Sequence, residues 1–296
     1  MGNPVNDIDA ILITGPTASG KSGMAVELAR QHDGVVINAD SMQVYDTLRI
    51  LTARPSVEDM QGIPHHLYGH VPAGDAYSTG MWLRQVTDLV AELRKAGRMP
   101  VIVGGTGLYF KALTGGLSPM PEIPADIREG LRQRLIDEGP EPLHRELMAR
   151  DPGMAADLNL QDGQRIVRAL EVLDATGQSL AALQGLAGPV IIDPARARKI
   201  VVLPERQVLH DRINGRFASM LADGAEQEVV DLLALGLSAQ QPVMKAIGVS
   251  QITMMLRGDI GREEVIALGA AATRQYAKRQ MTWFRNQMDE SWERIG

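Results

Sequence analysis

Cysteine is absent from the 296 residues. Disulfides, thiolate zinc sites, iron–sulfur clusters and a cysteine nucleophile are therefore excluded. The chain also has no apolar run near the roughly 20 residues that cross a bilayer, so no membrane partner is expected. The opening MGNPVNDIDA has neither a basic start nor a long apolar stretch, and a secretory signal is not expected. It also misses the myristoylation pattern, because Asn6 stands where Ser or Thr is required. A cytoplasmic enzyme is the resulting expectation. Gly and Pro, at 30 and 16, are too few for a low-complexity chain. There is no excess of positive charge either. The net charge is −6, which taken alone argues against a nucleic-acid partner. Local basic stripes count for more than the total, and the chain has some.

What is present is an ordinary globular composition, 45% hydrophobic and 22% charged. That apolar content is high enough to offset the entropy of ordering. The length suits two domains, or one large domain with an insertion. Residues 8–14 (IDAILIT) are apolar and β-branched, the pattern of a buried strand. A Gly-rich turn and a helical run follow. Residues 35–40 (VVINAD) read as a second buried strand ending in an acid. A helical pattern over 81–97 leads into a third strand at 99–105 (MPVIVGG). Strands alternating with helices imply a parallel sheet covered on both faces.

The texture changes after Gly115 and Gly116. Residues 119–152 contain no strand-like run, Pro124 suits a helix start, and Gly139 suits a helix stop. A further helix is expected over 163–175. Residues 199–204 (KIVVLP) read as a strand again, and the remainder is helical. The expected fold class is thus α/β, a P-loop-type parallel sheet core with a helical insertion. The core takes 1–118 and 198–296, and the insertion takes 119–197.

GPTASGKS at 15–22 matches G-x4-G-K-[ST]. In such a loop the glycines let backbone N–H groups turn inward around phosphate oxygens. Lys21 neutralises the terminal phosphate, and the Ser22 hydroxyl is placed to ligate Mg²⁺. The helix that follows adds its positive dipole. The loop does not say what carries the phosphates. An ATPase or GTPase of this type has an acid ending another buried strand to hold the metal. The strand VIVGG ends instead in Gly104, Gly105 and Thr106. The remaining candidate is Asp40, one acid for two roles, metal ligand or base. That leaves room for a diphosphate substrate that is not a nucleotide.

Four blocks together resemble the tRNA dimethylallyltransferase family, also called tRNA isopentenyltransferases, of bacterial type. They are GPTASGKS (15–22), ADSMQVY (39–45), VGGTGLYFKAL (103–113) and ATRQYAKRQMTWFRNQ (272–287). PHHL (64–67), QRIVRALEV (164–172) and MKAIG (244–248) add weaker support. The resemblance implies transfer of a dimethylallyl group from dimethylallyl diphosphate to N6 of the adenosine just 3′ of the anticodon, in tRNAs reading codons that begin with U. It implies that Gly15, Pro16, Thr17, Ala18, Ser19, Gly20, Lys21 and Ser22 grip the diphosphate with Mg²⁺. Lys21, Asp40 and Thr106 would be catalytic. The partner would be the anticodon stem-loop of tRNA, contacted by Asp40, Ser41, Met42, Gln43, Thr106, Arg128, Gln164, Arg165, Ile166, Val167, Arg168, Lys245, Arg274, Lys278, Arg279 and Arg285. A monomer is expected. Val249 and Ser250 depart from the family wording, as does LRILTARP (48–55).

Each residue also has a plainer reading. Asp40 suits a helix N-cap as well as a base. Thr106 suits a turn residue bonding its own backbone. Arg165 and Arg168, three apart, share a helix face that is either solvated or phosphate-gripping. Arg274, Lys278 and Arg285 form one helical stripe, read as a phosphate contact. Tyr276 and Trp283, seven apart, are read as mainly packing. His65, His66 and His70 lack a further ligand that would complete a metal set. Two other functions stay open: a P-loop kinase of a small molecule or nucleoside, and a non-catalytic RNA-binding regulator that uses a nucleotide as a switch.

Overall fold

The computed structural model describes residues 8–296, so the start of the opening segment read for a leader lies outside the described residues. Six parallel strands form one sheet in the order β3-β2-β4-β1-β5-β6. They are β1 (Ala10–Thr14), β2 (Gly34–Asn38), β3 (His65–His66), β4 (Met99–Gly104), β5 (Ala197–Val202) and β6 (Glu293–Ile295). The helices are α1 (Lys21–Gln31), α2 (Val57–Met60), α3 (Thr79–Lys95), α4 (Gly107–Gly115), α5 (Ala125–Glu138), α6 (Pro140–Arg150), α7 (Pro152–Ala156), α8 (Gly163–Thr176), α9 (Leu180–Gln184), α10 (Arg206–Ala222), α11 (Ala225–Ala234), α12 (Val249–Leu256) and α13 (Arg262–Gln287). No helix among the described residues is long and apolar enough to cross a membrane.

The two shortest strands, β3 and β6, are not legible as apolar runs. His65–His66 and Glu293–Ile295 carry mostly polar residues and form the sheet's two edges. β2 ends at Asn38, so Asp40 stands just beyond the strand rather than at its tip.

The chain divides into two compact units, Met1–Thr114 with Ile191–Gly296, and Gly115–Val190. The N–H groups of Ile191 and Ile192 both bond the Leu113 carbonyl, which carries the chain back toward β5. The smaller unit is all helical. Its interior is built from Leu131, Leu143, Leu147, Ile166, Leu170 and Val172. Arg134, Glu146, Arg150 and Asp174 form an ion network on its surface.

In the larger unit the strands β1, β2 and β4 bury both faces, which is why they read as unbroken apolar runs. On one face Ile11, Ile13, Val36, Val101 and Val103 meet Ala25, Leu28 and Ala29 of α1. The crossover from β1 to β2 and that from β3 to β4 run in opposite directions along the sheet. Right-handed connections therefore put α1 and α3 on opposite faces. Every strand of this parallel sheet points its carboxyl end the same way, so the β1–α1 turn, the segment after β2 and the turn after β4 open on one crevice.

Trp82 of α3 secures that arrangement. It is fully buried, stacks on Tyr109 at 4.0 Å, and donates its Nε1–H to the Asn38 carbonyl at 2.7 Å. Trp82→Phe retains most of the apolar contact and strands the Asn38 carbonyl. Urea unfolding is expected to show a loss of about 1–3 kcal/mol. A loss below about 0.5 kcal/mol would mean that the bond adds little to the support of the strand end.

Candidate active site

The phosphate loop is shaped by two local demands. Gly20 precedes α1 at φ 92°, a left-handed conformation that glycine adopts without strain. A Cβ on Gly15 would stand 2.6 Å from the Val202 carbonyl oxygen and 2.9 Å from Ser19 Oγ, so β5 presses against the loop and no side chain fits. Ser19 Oγ is buried without a hydrogen-bond partner. The loop thus holds a buried hydroxyl that the protein itself leaves unpaired.

Lys21 donates to the Pro16 carbonyl at 3.1 Å. Burial pulls its ammonium down from the ordinary value to about 8. Asp40 opposes that shift and Arg216 adds to it. Two more cations come from α10, where an i, i+4 spacing puts them on one face. Arg212 donates to the Ser19 carbonyl at 3.4 Å, and Arg216 to the Thr17 hydroxyl at 2.5 Å. Burial also lowers the Arg216 guanidinium, again against the pull of Asp40. A cavity of about 450 Å³ is lined by these three cations, by Ser22, and by one carboxylate, Asp40. That charge balance suits a polyanion.

Asp40 caps no helix. Its Oδ1 accepts the Met42 N–H at 2.9 Å, its own N–H donates to Asn38 Oδ1 at 2.9 Å, and the next helix is α2. The N-cap reading is thereby replaced by a side-chain turn, which local Asp–backbone bonding favours. Thr106 does not bond its own backbone either. Its Oγ1 accepts the Ser41 N–H at 3.0 Å and donates to Ser41 Oγ at 3.3 Å. Its N–H donates to the Ala39 carbonyl at 3.1 Å. The hydroxyl is thus tied to the Asp40 turn.

A second cavity of about 300 Å³ shares Thr17, Asp40, Thr52 and Arg216 with the first. Beyond them its walls turn apolar, with Met42, Leu51, Ile213, Phe217, Met220 and Ile247. Lys245, Tyr276 and Arg279 also line it. Tyr276 is therefore more than packing. It is a cavity wall whose phenol burial pushes up, with the Arg279 guanidinium 5.7 Å from its ring centre. Trp283 packs edge-to-face on Phe284 at 5.8 Å and against Gly107, where a Cβ would stand 2.2 Å from its ring.

The other expected contacts are dispersed. Gln43 spends its amide on the Thr52 and Ala53 carbonyls while lining the phosphate cavity. Met42 lines the apolar chamber. Arg274 bonds Asn214, and Lys278 and Arg279 line a shallow groove with Thr282 and Trp283. Arg285 is exposed in the last turn of α13. In the smaller unit Gln164 and Arg165 are exposed and Arg128 is half-buried. Arg165 pairs with Asp162, and Arg168 with the buried Glu171. Ile166 and Val167 are buried in that unit's core, so the exposed side chains at the start of this block are Gln164 and Arg165. Val249 is likewise buried at the start of α12, and Ser250 is exposed. Among the described residues no three His, Asp or Glu side chains form a metal set.

Sequence reasoning missed Arg212, Arg216 and Gln280. The buried Gln280 accepts the Thr17 N–H and donates to the Gly105 carbonyl. The i, i+4 spacing of the arginines was a usable signal. Gln280 sits inside the RQYAKRQ block among cations that drew attention away from it.

Residues 43–287 match the family described as IPP transferase, and residues 8–68 match isopentenyl transferase. The chain belongs to the IPP transferase family. A tRNA dimethylallyltransferase of Rhizobium johnstonii is 72% identical over 295 residues, covering 100% of this chain and 99% of that protein. One from Rhizobium rhizogenes is 75% identical over 293 residues, covering 99% and 98%. The solved tRNA isopentenylpyrophosphate transferase of Bacillus halodurans is 34% identical with a TM-score of 0.69, covering 97% of this chain and 89% of that one. A eukaryotic dimethylallyltransferase described as acting on tRNA is 26% identical with a TM-score of 0.79, covering 93% and 70%. This IPP transferase family member thus shares its P-loop-like α/β fold with enzymes named for prenyl transfer to tRNA.

The lowered Lys21 gives a pH test. Its free-state pKa of about 8 lies below the ordinary 10.5, because the charged form is desolvated. A bound anion restores the charged form and raises that pKa, so binding takes up a proton between the two values. Calorimetry with inorganic diphosphate should show affinity falling as pH rises above about 8, measured relative to Lys21→Gln. Parallel pH curves for the two proteins would show that Lys21 does not titrate in this range.

Proposed function

We propose that this chain transfers a dimethylallyl group from dimethylallyl diphosphate to N6 of the adenosine 3′-adjacent to the anticodon of tRNA, releasing diphosphate. The observation that carries the reading is the position of Asp40. It stands where a cation-lined phosphate cavity opens into an apolar chamber, and it is the one carboxylate lining either space. Diphosphate suits the first space, and a five-carbon apolar tail with a flat base suits the second. The names of the relatives support the same chemistry.

In this reading Lys21, Arg212, Arg216 and the loop amides hold the diphosphate and stabilise the charge it gains on leaving. Ser22 and Asp40 both face that cavity. The Ser22 hydroxyl would help hold Mg²⁺ there, with Asp40 kept free as the base. When bound, that cation would neutralise part of the leaving charge. The adenosine must leave its base stack to expose N6. As N6 bonds to the allylic carbon and the carbon–oxygen bond to diphosphate breaks, the nitrogen becomes acidic, and Asp40 Oδ2 takes its proton. Thr106 holds the Asp40 turn through Ser41. Lys245, Arg279 and Tyr276 would meet the nucleotide at the chamber. The exposed Lys278 and Arg285 would contact RNA phosphates. The site of action would be the cytoplasm, where tRNA is found.

A kinase would want an acid after β4, where Gly104, Gly105 and Thr106 stand. Robust ATP turnover by the pure protein, lost in Lys21→Ala, would overturn the transferase reading. Asp40→Asn keeps the Oδ1 turn and removes the base. Its single-turnover transfer rate is expected to fall about 10²–10⁴-fold with diphosphate affinity little changed. A rate near wild type would remove Asp40 from the chemistry, and a rate restored by added Mg²⁺ would make it a metal ligand instead.

A further inference from the structure

Gln280 lies on α13 and is 6% exposed. Both ends of its amide are committed to backbone groups from other parts of the chain. Oε1 accepts the Thr17 N–H of the phosphate loop at 2.9 Å, and Nε2 donates to the Gly105 carbonyl at 2.9 Å. The first partner follows β1 and the second follows β4. The fit is close: a Cβ on Gly105 would stand 2.3 Å from Nε2 and 3.5 Å from Asp40 Oδ2. Gly105 precedes Thr106, whose hydroxyl accepts the N–H of Ser41, the neighbour of Asp40.

Resting on the transferase reading above, we propose that Gln280 is a positioning residue that sets the spacing between the diphosphate loop and the Asp40 turn. It would thereby fix the distance between leaving group and base. The demand is for one acceptor and one donor on a single rigid group, both out of water. An amide meets it. An ionised Glu has no donor, Lys and Arg have no acceptor, and Met has neither at useful strength. The Gly105 bond is buried and the Thr17 bond partly buried, on a side chain that is itself 6% exposed. Misplacing reacting groups by about 1 Å costs on the order of 10²-fold in rate.

The test uses the full chain carrying Gln280→Glu or Gln280→Met. Single-turnover transfer from dimethylallyl diphosphate to an anticodon stem-loop is measured against pH, alongside calorimetric binding of inorganic diphosphate. At about pH 8 the Glu variant keeps the Thr17 bond but opposes two oxygens at Gly105. Its rate should fall by about 10²-fold while diphosphate affinity moves by less than about threefold. A buried carboxyl is held protonated to higher pH, and its O–H restores the donor. The deficit relative to wild type at the same pH should therefore shrink as the pH is lowered to about 6. The Met variant should show a deficit that does not depend on pH.

Three results would overturn the proposal. They are wild-type rates in the Glu variant, a Glu deficit that stays constant across pH, and a diphosphate affinity that falls in proportion to the rate. The last would make Gln280 a part of the phosphate loop alone. If the Met variant does not fold, the pH profile of the Glu variant still decides. Wild-type protein that transfers nothing to RNA would defeat the transferase reading itself, an outcome distinct from normal variants beside an active wild type.

Discussion

The backbones at the ends of β2 and β4 touch, and the rest of the site depends on that contact. A Cβ on Gly104 would stand 2.0 Å from the Ala39 carbonyl oxygen. The ladder continues past the named strands, with the Ala39 N–H bonding the Val103 carbonyl at 2.7 Å and the Thr106 N–H bonding the Ala39 carbonyl at 3.1 Å. Two turns that would otherwise be independent loops become one surface. Asp40 and Thr106 are therefore placed by backbone bonds before any side chain acts. The double glycine of VGGT has a separate reason at each position: Gly104 admits the Ala39 backbone, and Gly105 admits the Gln280 amide.

Around this frame the charge is deliberately unbalanced. Lys21, Arg212 and Arg216 face one carboxylate across the phosphate cavity. Burial holds both Lys21 and Arg216 below their ordinary values, so their charged forms are short of solvation in the free protein. An anion that enters supplies what water does not, and its interactions are stronger for the lowered dielectric. On the transferase reading the same cations would sit where charge develops as diphosphate leaves, so little reorganisation would be needed at that moment. The chamber on the far side of Asp40 has Met42, Leu51, Ile213, Phe217, Met220 and Ile247 in its walls, so on the transferase reading it would suit the uncharged part of the substrate.

The elements legible from sequence were those whose cause is local. The phosphate loop announces itself because each position answers to a nearby backbone demand, and β1, β2 and β4 because both faces are buried. The helix start at Pro124 and its end at Gly139 are equally local. What escaped depended on distant partners. β3 and β6 are short edges whose identity comes from the strand beside them. Asp40 has the composition of an N-cap, and only the absence of a helix after it shows the side-chain turn. Ile166 and Val167 came in with a motif block whose exposed face is carried by Gln164 and Arg165. In an α-helix, consecutive positions cannot all face one way, so a contiguous block includes core positions as well as surface ones. Arg212, Arg216 and Gln280 act on a loop that is at least 193 residues away in the chain.

Helix α13 shows why a late segment governs an early loop. Its first half is structural: Gly269 leaves room for the Phe217 ring, which would meet a Cβ there at 2.0 Å, and Phe217 in turn walls the apolar chamber. Further along, Tyr276 and Arg279 line the chamber, Gln280 reaches both the phosphate loop and Gly105, and Lys278 and Trp283 border an outward groove. The 3.6-residue period makes this division possible, since positions 276, 280 and 283 share a face while 278 and 285 turn away from it. A single helix thus lines the chamber and bonds both the 15–22 loop, at Thr17, and the segment after β4, at Gly105. A displacement at its outer face would reach all three together. That link follows from helix geometry and from the two hydrogen bonds of the Gln280 amide.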